Sequence, residues 1–543
     1  MSATLDIDTF QTFFPQAKVI KIPGRQYPVQ VVYTKNPQED YIDSALSATL
    51  QIHANTNDGD ILVFLPGQEE IEDLASLLKK HLNEDEELIQ TMSSTSRDIV
   101  QSLRGIGTNI ISGSNAAIVN GVLVCVLYAA LPPEAQMFAF APKPEGCSRK
   151  IILATNIAET SVTLDGIRYV VDCGKHKTRD FSGTTGMESL AVHDISKAQA
   201  AQRTGRAGRV SSGICFRLYT EDAYDSLVDA TVPEVLRVNL AQVVLQLKGM
   251  GVHDPRTFDF LTQPSKHSLL KAFELLFALG AVDAEMKLTD HGKRLAKLPL
   301  DPVFGHLLLQ SSKYDCVSEI LTVVSMLSAE NIFYRPGGGD IEGGLATKAA
   351  VAHRRFASHE GDLPTLLNVY KAWRSEAAYV PVGSRKAQKK RLKAQAGSKV
   401  LHGEWCTRNY INGRALSRAF DVRSQLADIC RRDVNKNGLG MDVTQSCGPE
   451  MTMFLKCVCA GLFLQVASRI KATVEVDARG RSGMLGQLRG RYRTKIGSQE
   501  VSIHPTSTMF GRNPAPKCVV YTELLSTKKT YIRGVTQVRE EWL

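Results

Sequence analysis

Along the first 230 residues of the chain, short apolar runs typical of strands alternate with segments of helical periodicity. Residues 60–67 (DILVFLPG) predict a strand that ends at a turn, and residues 69–82 predict an amphipathic helix behind it. Residues 149–156 and 167–174 predict two further strands. Strand followed by helix is typical of a parallel α/β sheet. Residues 92–121 are rich in Ser, Gly and Asn and lack periodicity, which predicts a loop or an insertion.

The pattern changes at Pro233. Residues 238–252 and 267–282 have helical periodicity, and a glycine ends each predicted helix. Helical patterns continue to about residue 466. From residue 467 onward, short alternating segments separated by turn signals predict a small β-barrel. Residues 380–403 carry Lys and Arg without any acid, and this pattern fits either a solvated basic loop or an RNA contact.

Composition narrows the class of protein. A chain of 543 residues is too long for a single core, and 43% hydrophobic with 22% charged residues is typical of a globular protein. The sequence has no apolar stretch of about 20 residues that could span a bilayer. Eleven cysteines without a CxxC pair predict reduced thiols, an intracellular protein and no zinc site. A net charge of +9 favours an anionic partner such as nucleic acid, although a basic enzyme without such a partner fits equally well.

Residues 200–209 (AAQRTGRAGR) contain the clearest candidate chemistry. On a helix, Arg203, Arg206 and Arg209 would share one face, and Gln202 would lie in the same arc. Their guanidinium groups would repel each other unless an anion lies between them, and guanidinium geometry suits phosphate oxygens. Glycines 205 and 208 would permit a close approach to a neighbouring segment. The segment is therefore either a phosphate clamp or a surface face paired with acids elsewhere.

Several long segments, in one order, resemble the DEAH-box RNA helicases of helicase superfamily two. They are MSATLD (1–6), FLPGQEEIE (64–72), YAALPPEAQ (128–136), ATNIAETSVTLDG (154–166) and AAQRTGRAGR (200–209). The likeness continues into the helical region and the carboxyl-terminal strands, and it covers nearly the whole chain.

The resemblance implies a multidomain fold made of α/β, α and β parts. It implies the tail of a first RecA-like domain at 1–18, a second RecA-like parallel α/β domain at 19–232, a winged helix at 233–299, a helical ratchet bundle at 300–466 with the basic insertion 380–403, and a carboxyl-terminal OB-fold barrel at 467–543.

The resemblance also assigns residues to a nucleotide site between two RecA-like domains. Gln202, Arg206 and Arg209 would face the phosphates, with both arginines as arginine fingers, and Arg203 would be structural and join motifs. The side chains assigned to the rest of the cofactor are Ser2, Thr4, Thr163, Asp165 and Phe140. Phe140 matches a position from which a ring stacks on the base, and a plain core phenylalanine is the alternative.

Other positions match residues that contact the RNA backbone. They are Gly67, Gln68, Thr155, Asn156 and Thr160, whose small or polar side chains can bind phosphates and sugars without reading sequence. Residues 175–190 match a long β-hairpin with a turn at GTTG. In the barrel, Arg489, Arg491 and Arg493, with Tyr492 among them, suit single-stranded RNA, or form a basic loop without a ligand.

The sequence departs from the family at two motifs. No G-x-x-x-x-G-K-[ST] segment and no DEAH tetrad occur in it, although the family needs them to hold the phosphates and Mg²⁺. We therefore expect a helicase whose first RecA-like domain is missing, through a gene prediction that starts at an internal codon or because the sequence is a fragment. Such a chain should not hydrolyse ATP, or another NTP, by itself.

The alternative functions are a non-catalytic RNA-binding or interaction module, for example one that docks on a protein activator through the barrel, and an inactive fragment. The expected partners are RNA and a protein activator on the OB-fold, with no membrane. Nuclear or nucleolar residence is the family-level expectation, with the cytoplasm as the alternative.

Overall fold

The computed structural model describes residues 7–20, 27–38, 40–56, 58–84, 117–131, 133–160, 163–182, 187–329, 331–334, 345–378, 403–433, 438–470, 490–526 and 529–543. Most of the predicted insertions at 92–121 and 380–403 lie outside these residues. The described helices are α1 Ile7–Phe13, α2 Tyr41–Asn55, α3 Gln68–Glu84, α4 Pro133–Phe140, α5 Lys197–Thr204, α6 Glu221–Asp225, α7 Ala241–Gly249, α8 Lys266–Ala278, α9 Asp290–Ala296, α10 Pro302–Gln310, α11 Val317–Leu327, α12 Leu345–Arg354, α13 Asp362–Ala378, α14 Gly413–Arg431 and α15 Thr452–Gly461. Among them, none is long and apolar enough to cross a bilayer.

The strands fall into two sheets. They are β1 Val29–Tyr33, β2 Asp60–Phe64, β3 Ala117–Val119, β4 Val122–Leu127, β5 Arg149–Ala154, β6 Ile167–Asp172, β7 Lys175–Ser182, β8 Met187–Asp194, β9 Gly213–Arg217, β10 Val466–Arg469, β11 Arg491–Thr494, β12 Glu500–Ile503, β13 Cys518–Val520, β14 Glu523–Ser526, β15 Thr530–Arg533 and β16 Thr536–Val538. The chain forms two compact units, the first built mainly from residues up to Val232 and the second mainly from Pro233 onward.

The first unit contains a sheet of order β1-β9-β6-β2-β5-β4-β3, in which only the β3–β4 pair is antiparallel. Strands β2, β4 and β5 are buried at every position. Central parallel strands are covered on both faces by helices, so an apolar run without alternation is what their sequences require. The strands predicted at 60–67, 149–156 and 167–174 and the helix at 69–82 are therefore confirmed.

The second unit combines helices α7–α11 and α13–α15 with a sheet of order β16-β13-β10-β11-β12-β15-β14, which continues into the predicted hairpin β8-β7. Residues 179–191 of that hairpin belong to this unit. The predicted helices at 238–252 and 267–282 are confirmed as α7 and α8. A large apolar cluster joins the helices to the sheet, since Val466, Cys518 and Val538 pack with helical residues such as Leu307 and Phe454.

Candidate functional site

Four of the predicted RNA-contacting residues lie at one edge of the first sheet. Gly67 and Gln68 follow β2, and Thr155 and Asn156 follow β5. The two strands are parallel neighbours with Phe64 opposite Ala154, so their carboxyl ends meet at the same edge. The backbone N–H of Leu65 donates to the carbonyl of Ala154 at 2.9 Å, which extends the pairing past the strand ends. The structure therefore brings these four positions together.

Their exposure differs. Asn156 and Thr160 are exposed, Gln68 and Thr155 are half-buried, and Gly67 is buried. The Gln68 amide donates to Glu72 Oε1 at 2.9 Å. Asn156 begins a short 3-10 helix, Asn156–Ala158, that turns the chain at the sheet edge. Asn156 and Thr160 are thus the most exposed members of the set.

Gly67 allows a close approach of two charged side chains. A Cβ atom at this position would lie 2.7 Å from Glu70 Oε2 and 2.9 Å from Lys177 Nζ. Lys177, at the base of the hairpin, forms an ion pair with Glu70 at 3.4 Å. A larger residue at position 67 would displace the ends of these two flexible side chains.

The arginine segment is only partly helical. Ser196 caps α5 with a capping box that includes Gln199, and the helix ends at Thr204 with Gly205 as the C-cap. Residues 205–211 form turns and bends. The expectation that Arg203, Arg206 and Arg209 share one helical face is wrong, because only Arg203 lies in the helix. Glycine at 205, with poor helix propensity, favours the early end.

Arg203 is fully buried between two carboxylates. Its Nε donates to Glu159 Oε1 at 2.8 Å and its Nη1 to Asp172 Oδ1 at 2.7 Å, while Nη2 also donates to the Lys175 carbonyl at 3.1 Å. Burial alone would lower the pKa of Arg203, but the charges of Asp172 and Glu159 raise it above its ordinary value. The side chain links the segment at 154–166 to the segment at 200–209, which is the structural role predicted for it.

Arg206 and Arg209 follow Arg203 in the turns and bends after the end of α5. Arg206 is buried, and its Nη2 donates to the backbone carbonyl of Glu159. Burial and the neighbouring charge of Arg209 lower the pKa of Arg206 to about 10, against the opposite effect of Glu159, so the Arg206 guanidinium is charged at neutral pH. Arg209 is half-buried. Two nearby cations whose mutual repulsion is felt in the pKa would be stabilised by an anion between them.

Buried neighbours fix the other predicted nucleotide residues. Leu164 is buried in the same apolar cluster as Ala158 and Ala207. Thr163 and Asp165 flank Leu164 and are exposed, and Gln202 is half-buried one residue before Arg203. Since Ala207 follows Arg206 directly, the two segments are anchored in one cluster.

Phe140 is half-buried at the end of α4 and packs against that cluster. This is the core position that the sequence left open as an alternative. Contact with a base would need the part of the ring that remains exposed.

In the barrel, Arg491 and Arg493 are exposed on β11 and both form ion pairs with Glu500 on β12, at 3.6 and 3.2 Å. Tyr492 lies between them, is fully buried and donates its hydroxyl to the Pro516 carbonyl. The expectation of an aromatic ring interleaved with these arginines is therefore wrong, since successive residues of a strand face opposite sides. Ser2, Thr4 and Arg489 lie outside the described residues.

Two acids of the site were not expected from the sequence. Glu159 accepts from Arg203 and Gln199, and Asp172 accepts from Arg203, Gly174 and Tyr219. Both are at least 95% buried. A signal did exist for Asp172, because an acid at the end of an apolar strand has to be paired. In the described part of the chain, no group of three His, Cys, Asp or Glu side chains could hold a metal ion.

Four domain families match the chain. The helicase conserved C-terminal domain matches residues 114–211, the winged-helix helicase associated domain 272–300, the ratchet-like helicase associated domain 301–366 and the oligonucleotide/oligosaccharide-binding fold 454–543. The class is thus a helicase RecA-like domain followed by winged-helix, ratchet and OB-fold domains, which confirms the predicted fold class.

Relatives match along the whole chain. The pre-mRNA-splicing factor ATP-dependent RNA helicase DEAH10 of Arabidopsis thaliana is 38% identical over 546 residues, and the ATP-dependent RNA helicase DHX33 is 39% identical in Mus musculus and 38% in Homo sapiens. Each match covers 100% of this chain and 65–66% of the relative, so the chain spans just under two thirds of their length. The chain belongs to the DEAH-box RNA helicase family and corresponds to its carboxyl-terminal portion.

Proposed function

We propose that this chain supplies the second motor domain and the accessory domains of an ATP-dependent RNA helicase. In this function, hydrolysis of ATP or another NTP is stimulated by RNA and coupled to movement along RNA or to its unwinding. The observation that carries the proposal is the placement of Arg206 and Arg209, two neighbouring cations that directly follow the buried Arg203, whose own charge is neutralised by Glu159 and Asp172.

Arg206 and Arg209 would stabilise the charge that develops on the transferring phosphoryl group. Glu159 supports this role because its carbonyl holds Arg206 while its carboxylate neutralises Arg203. Gln202 would act beside them, and Thr163, Asp165 and Phe140 would contact the ribose and the base. The Phe140 ring can stack without reading hydrogen-bonding groups, which suits tolerance of different bases.

The RNA would bind at the edge formed by Gly67, Gln68, Thr155, Asn156 and Thr160. Segment 155–160 ends one residue after Glu159, whose carbonyl holds Arg206. A shift of this segment on RNA binding would therefore move the partner of an arginine finger directly. Arg491 and Arg493, with Arg489, would add a second, electrostatic contact in the OB-fold.

The remaining assignments rest on the family. Mg²⁺ would shield the phosphate charge, and its ligands would come from a first RecA-like domain. Ser2 and Thr4 would belong to the tail of that same domain. The relatives named as ATP-dependent RNA helicases support RNA as the partner. A nuclear or nucleolar location is supported by the splicing role in the name of the Arabidopsis relative. A protein activator would bind the OB-fold.

The test uses the chain alone and a fusion in which the uncovered part of the mouse relative precedes it. We expect the chain to bind RNA without ATPase activity and the fusion to show RNA-stimulated ATPase. Arg206→Ala in the fusion should lower turnover by about 10³-fold and leave RNA affinity nearly unchanged. Arg168→Ala is the matched control, because Arg168 is a half-exposed arginine of the same unit whose ion pair with Asp58 is long, at 3.9 Å.

Robust ATPase activity of the chain alone would show that the missing motifs were misjudged. A fusion that binds RNA without hydrolysing ATP would favour a non-catalytic RNA-binding module. If Arg206→Ala abolished RNA binding and spared hydrolysis, the phosphate assignment would be wrong.

A further inference from the structure

Two adjacent buried cations begin strand β5. Arg149 and Lys150 are 2% and 3% exposed. Neighbouring residues of a strand point to opposite faces of the sheet, so the two side chains serve different helices. Lysine is rarely buried without a reason, because its ammonium group loses hydration. The groups that these side chains reach therefore indicate what they do.

Arg149 closes the carboxyl end of α2. Its guanidinium donates to the Ile52 carbonyl at 3.1 Å and to the Thr56 carbonyl at 2.9 Å. These carbonyls lie at the end of a helix, where backbone acceptors lack partners inside the helix. Helix α2 carries none of the predicted site residues.

Lys150 does the same for α4, which carries Phe140. Its Nζ donates to the carbonyl of Ala139 at 3.0 Å and to that of Ala141 at 2.9 Å. The two acceptors flank Phe140 on either side. A cation at this end of a helix is also favoured by the helix dipole. One side chain thus holds the backbone through the carbonyls of the residues directly before and after Phe140.

Asp60 connects Lys150 to the other part of the predicted nucleotide site. Asp60 Oδ1 accepts from the backbone N–H of Lys150 at 2.8 Å. The backbone N–H of Asp60 donates to the Gly166 carbonyl at 3.0 Å, directly after Asp165. Gly166 has φ of +81°, and a Cβ atom there would lie 3.0 Å from Asp60 Oδ2. The turn at Asp165 and the end of α4 therefore share one buried support.

We propose that Lys150 is a positioning residue for nucleotide binding, which fixes the Phe140 backbone so that the ring meets the base. Lys150 touches no nucleotide itself. The proposal rests on the proposed function in one respect, namely that Phe140 contacts the base. Asp60 is the second member of the support and sets the Asp165 turn relative to β5.

The test compares Lys150→Met, Arg149→Met and Phe140→Ala in the fusion that carries the uncovered part of the mouse relative, because the nucleotide would lie between two RecA-like domains. Each variant competes ADP and, separately, pyrophosphate against a fluorescent ADP analogue up to millimolar concentration. Only ADP carries a base that can stack on Phe140. Lys150→Met and Phe140→Ala should therefore raise the Kd of ADP by about fivefold to tenfold and leave the Kd of pyrophosphate unchanged. Arg149→Met should alter neither of these two Kd values. Hydrogen exchange should increase in residues 133–142 for Lys150→Met and in residues 41–56 for Arg149→Met.

The outcomes separate the two proposals. Loss of ADP affinity in Phe140→Ala but not in Lys150→Met, with unchanged exchange at 133–142, overturns the role of Lys150 alone. Equal weakening of ADP and pyrophosphate in Lys150→Met also overturns it, because that result describes general loosening. Absence of any displacement by ADP in the unaltered fusion overturns the nucleotide site and this assignment together. If Lys150→Met does not fold, Lys150→Gln, which keeps one donor group, undergoes the same comparison.

Discussion

At the level of single residues, the buried charges of the first unit are organised by pairing. Arg203 has no exposed surface and contacts the carboxylates of Glu159 and Asp172 at 2.7 Å. Its guanidinium also lies 4.9 Å from the ring centroid of Phe64. Removal of one partner from a buried ion pair leaves charge without compensation, and this costs far more than the pair contributes.

Arg203→Met should therefore lower the free energy of unfolding by about 3 to 5 kcal/mol, because two buried carboxylates lose their counter-charge. Urea denaturation followed by circular dichroism measures this change. Arg168→Met is the control and should change stability by less than about 1 kcal/mol, since its ion pair is exposed to solvent. Equal losses in the two variants would contradict the importance given to the buried pairing.

A half-buried and a buried histidine of the second unit, His291 and His306, face each other. His291 Nε2 and His306 Nδ1 are 3.0 Å apart, and Gln310 Nε2 lies 3.2 Å from His306 Nε2. Burial, His291 and Lys313 lower the pKa of His306 to about 4, and burial with Arg294 and Lys313 lowers that of His291. Both rings are therefore neutral in the folded state at pH 7.

When a histidine pKa is lower in the folded state than in the unfolded state, stability decreases as the pH decreases, because the unfolded chain takes up the proton first. The contribution of His306 is complete above its unfolded pKa near 6.5 and declines as the pH approaches 4. Between pH 7 and pH 5 we expect the free energy of unfolding to drop by about 2 kcal/mol from this residue. His306→Gln should flatten that dependence in urea titrations at several pH values. A slope identical to that of the unaltered chain would count against the assignment.

At the level of elements, the sequence predicted α3, β2, β5 and β6 because their periodicity is set by burial on the sheet. It did not predict that α5 ends at Thr204, since an arginine spacing of three persists beyond a helix end that glycine and tertiary packing decide. It also missed Glu159, whose partners Arg203 and Arg206 are more than 40 residues away along the chain. Long-range pairing of this kind carries no local pattern.

The predicted close approach at Gly208 is confirmed. A Cβ atom there would lie 2.6 Å from the Tyr27 carbonyl oxygen and 2.8 Å from Val29 Cγ2. The Tyr27 N–H also donates to the Gly208 carbonyl at 2.9 Å, so the two backbones cannot separate without loss of this bond.

Gly208→Ala should lower the free energy of unfolding by about 1 to 3 kcal/mol, because the added methyl group overpacks the contact with Tyr27. Thermal and urea denaturation both report this change. Gly403→Ala serves as control, since no atom lies within 4 Å of a Cβ atom at that position. A Gly208→Ala protein as stable as its control would refute the contact.

On strands β11 and β12, Glu500 would compete with RNA phosphates for the predicted RNA-binding arginines. Glu500 already holds Arg491 and Arg493, and all three side chains are about half exposed. RNA phosphates would have to replace this carboxylate. Strand alternation places Arg491 and Arg493 on the exposed face of β11 and Tyr492 on the buried face.

Glu500→Gln should therefore raise the RNA affinity of the chain about threefold, and Arg491→Ala with Arg493→Ala should lower it about tenfold. Fluorescence anisotropy with a short single-stranded RNA measures both. The double alanine variant should also reduce the salt dependence by about one to two phosphate contacts. If Glu500→Gln weakened binding, the arginines would depend on the carboxylate for their position and would not be released by its loss.

For the whole molecule, local pattern and long-range resemblance predicted different things. Periodicity predicted the classes of the elements, such as the buried runs of β2 and β5 in the first unit and the short strands of the second. The order of the motifs, from residues 64–72 to 200–209, grouped Gly67, Gln68, Thr155 and Asn156 as one set, and the structure has these four at the carboxyl ends of β2 and β5. Neither could predict the support built from Lys150 and Asp60, because it consists of contacts to backbone carbonyls and amides that any sequence provides.

The net charge of +9 belongs to the chain as a whole, and it predicts how RNA binding depends on salt. Contacts to phosphates release counterions, so the logarithm of the affinity should fall linearly with the logarithm of the salt concentration, with a slope of about −0.7 for each phosphate contacted on a single strand. With about four contacts, affinity should decline about 50-fold between 50 and 200 mM salt. A methylphosphonate RNA of the same sequence, which lacks backbone charge, is the control and should bind weakly with little salt dependence. If the two RNAs bound with equal affinity and equal slopes, recognition would come from the bases, and a helicase-like grip on the backbone through positions such as Asn156 and Thr160 would be excluded.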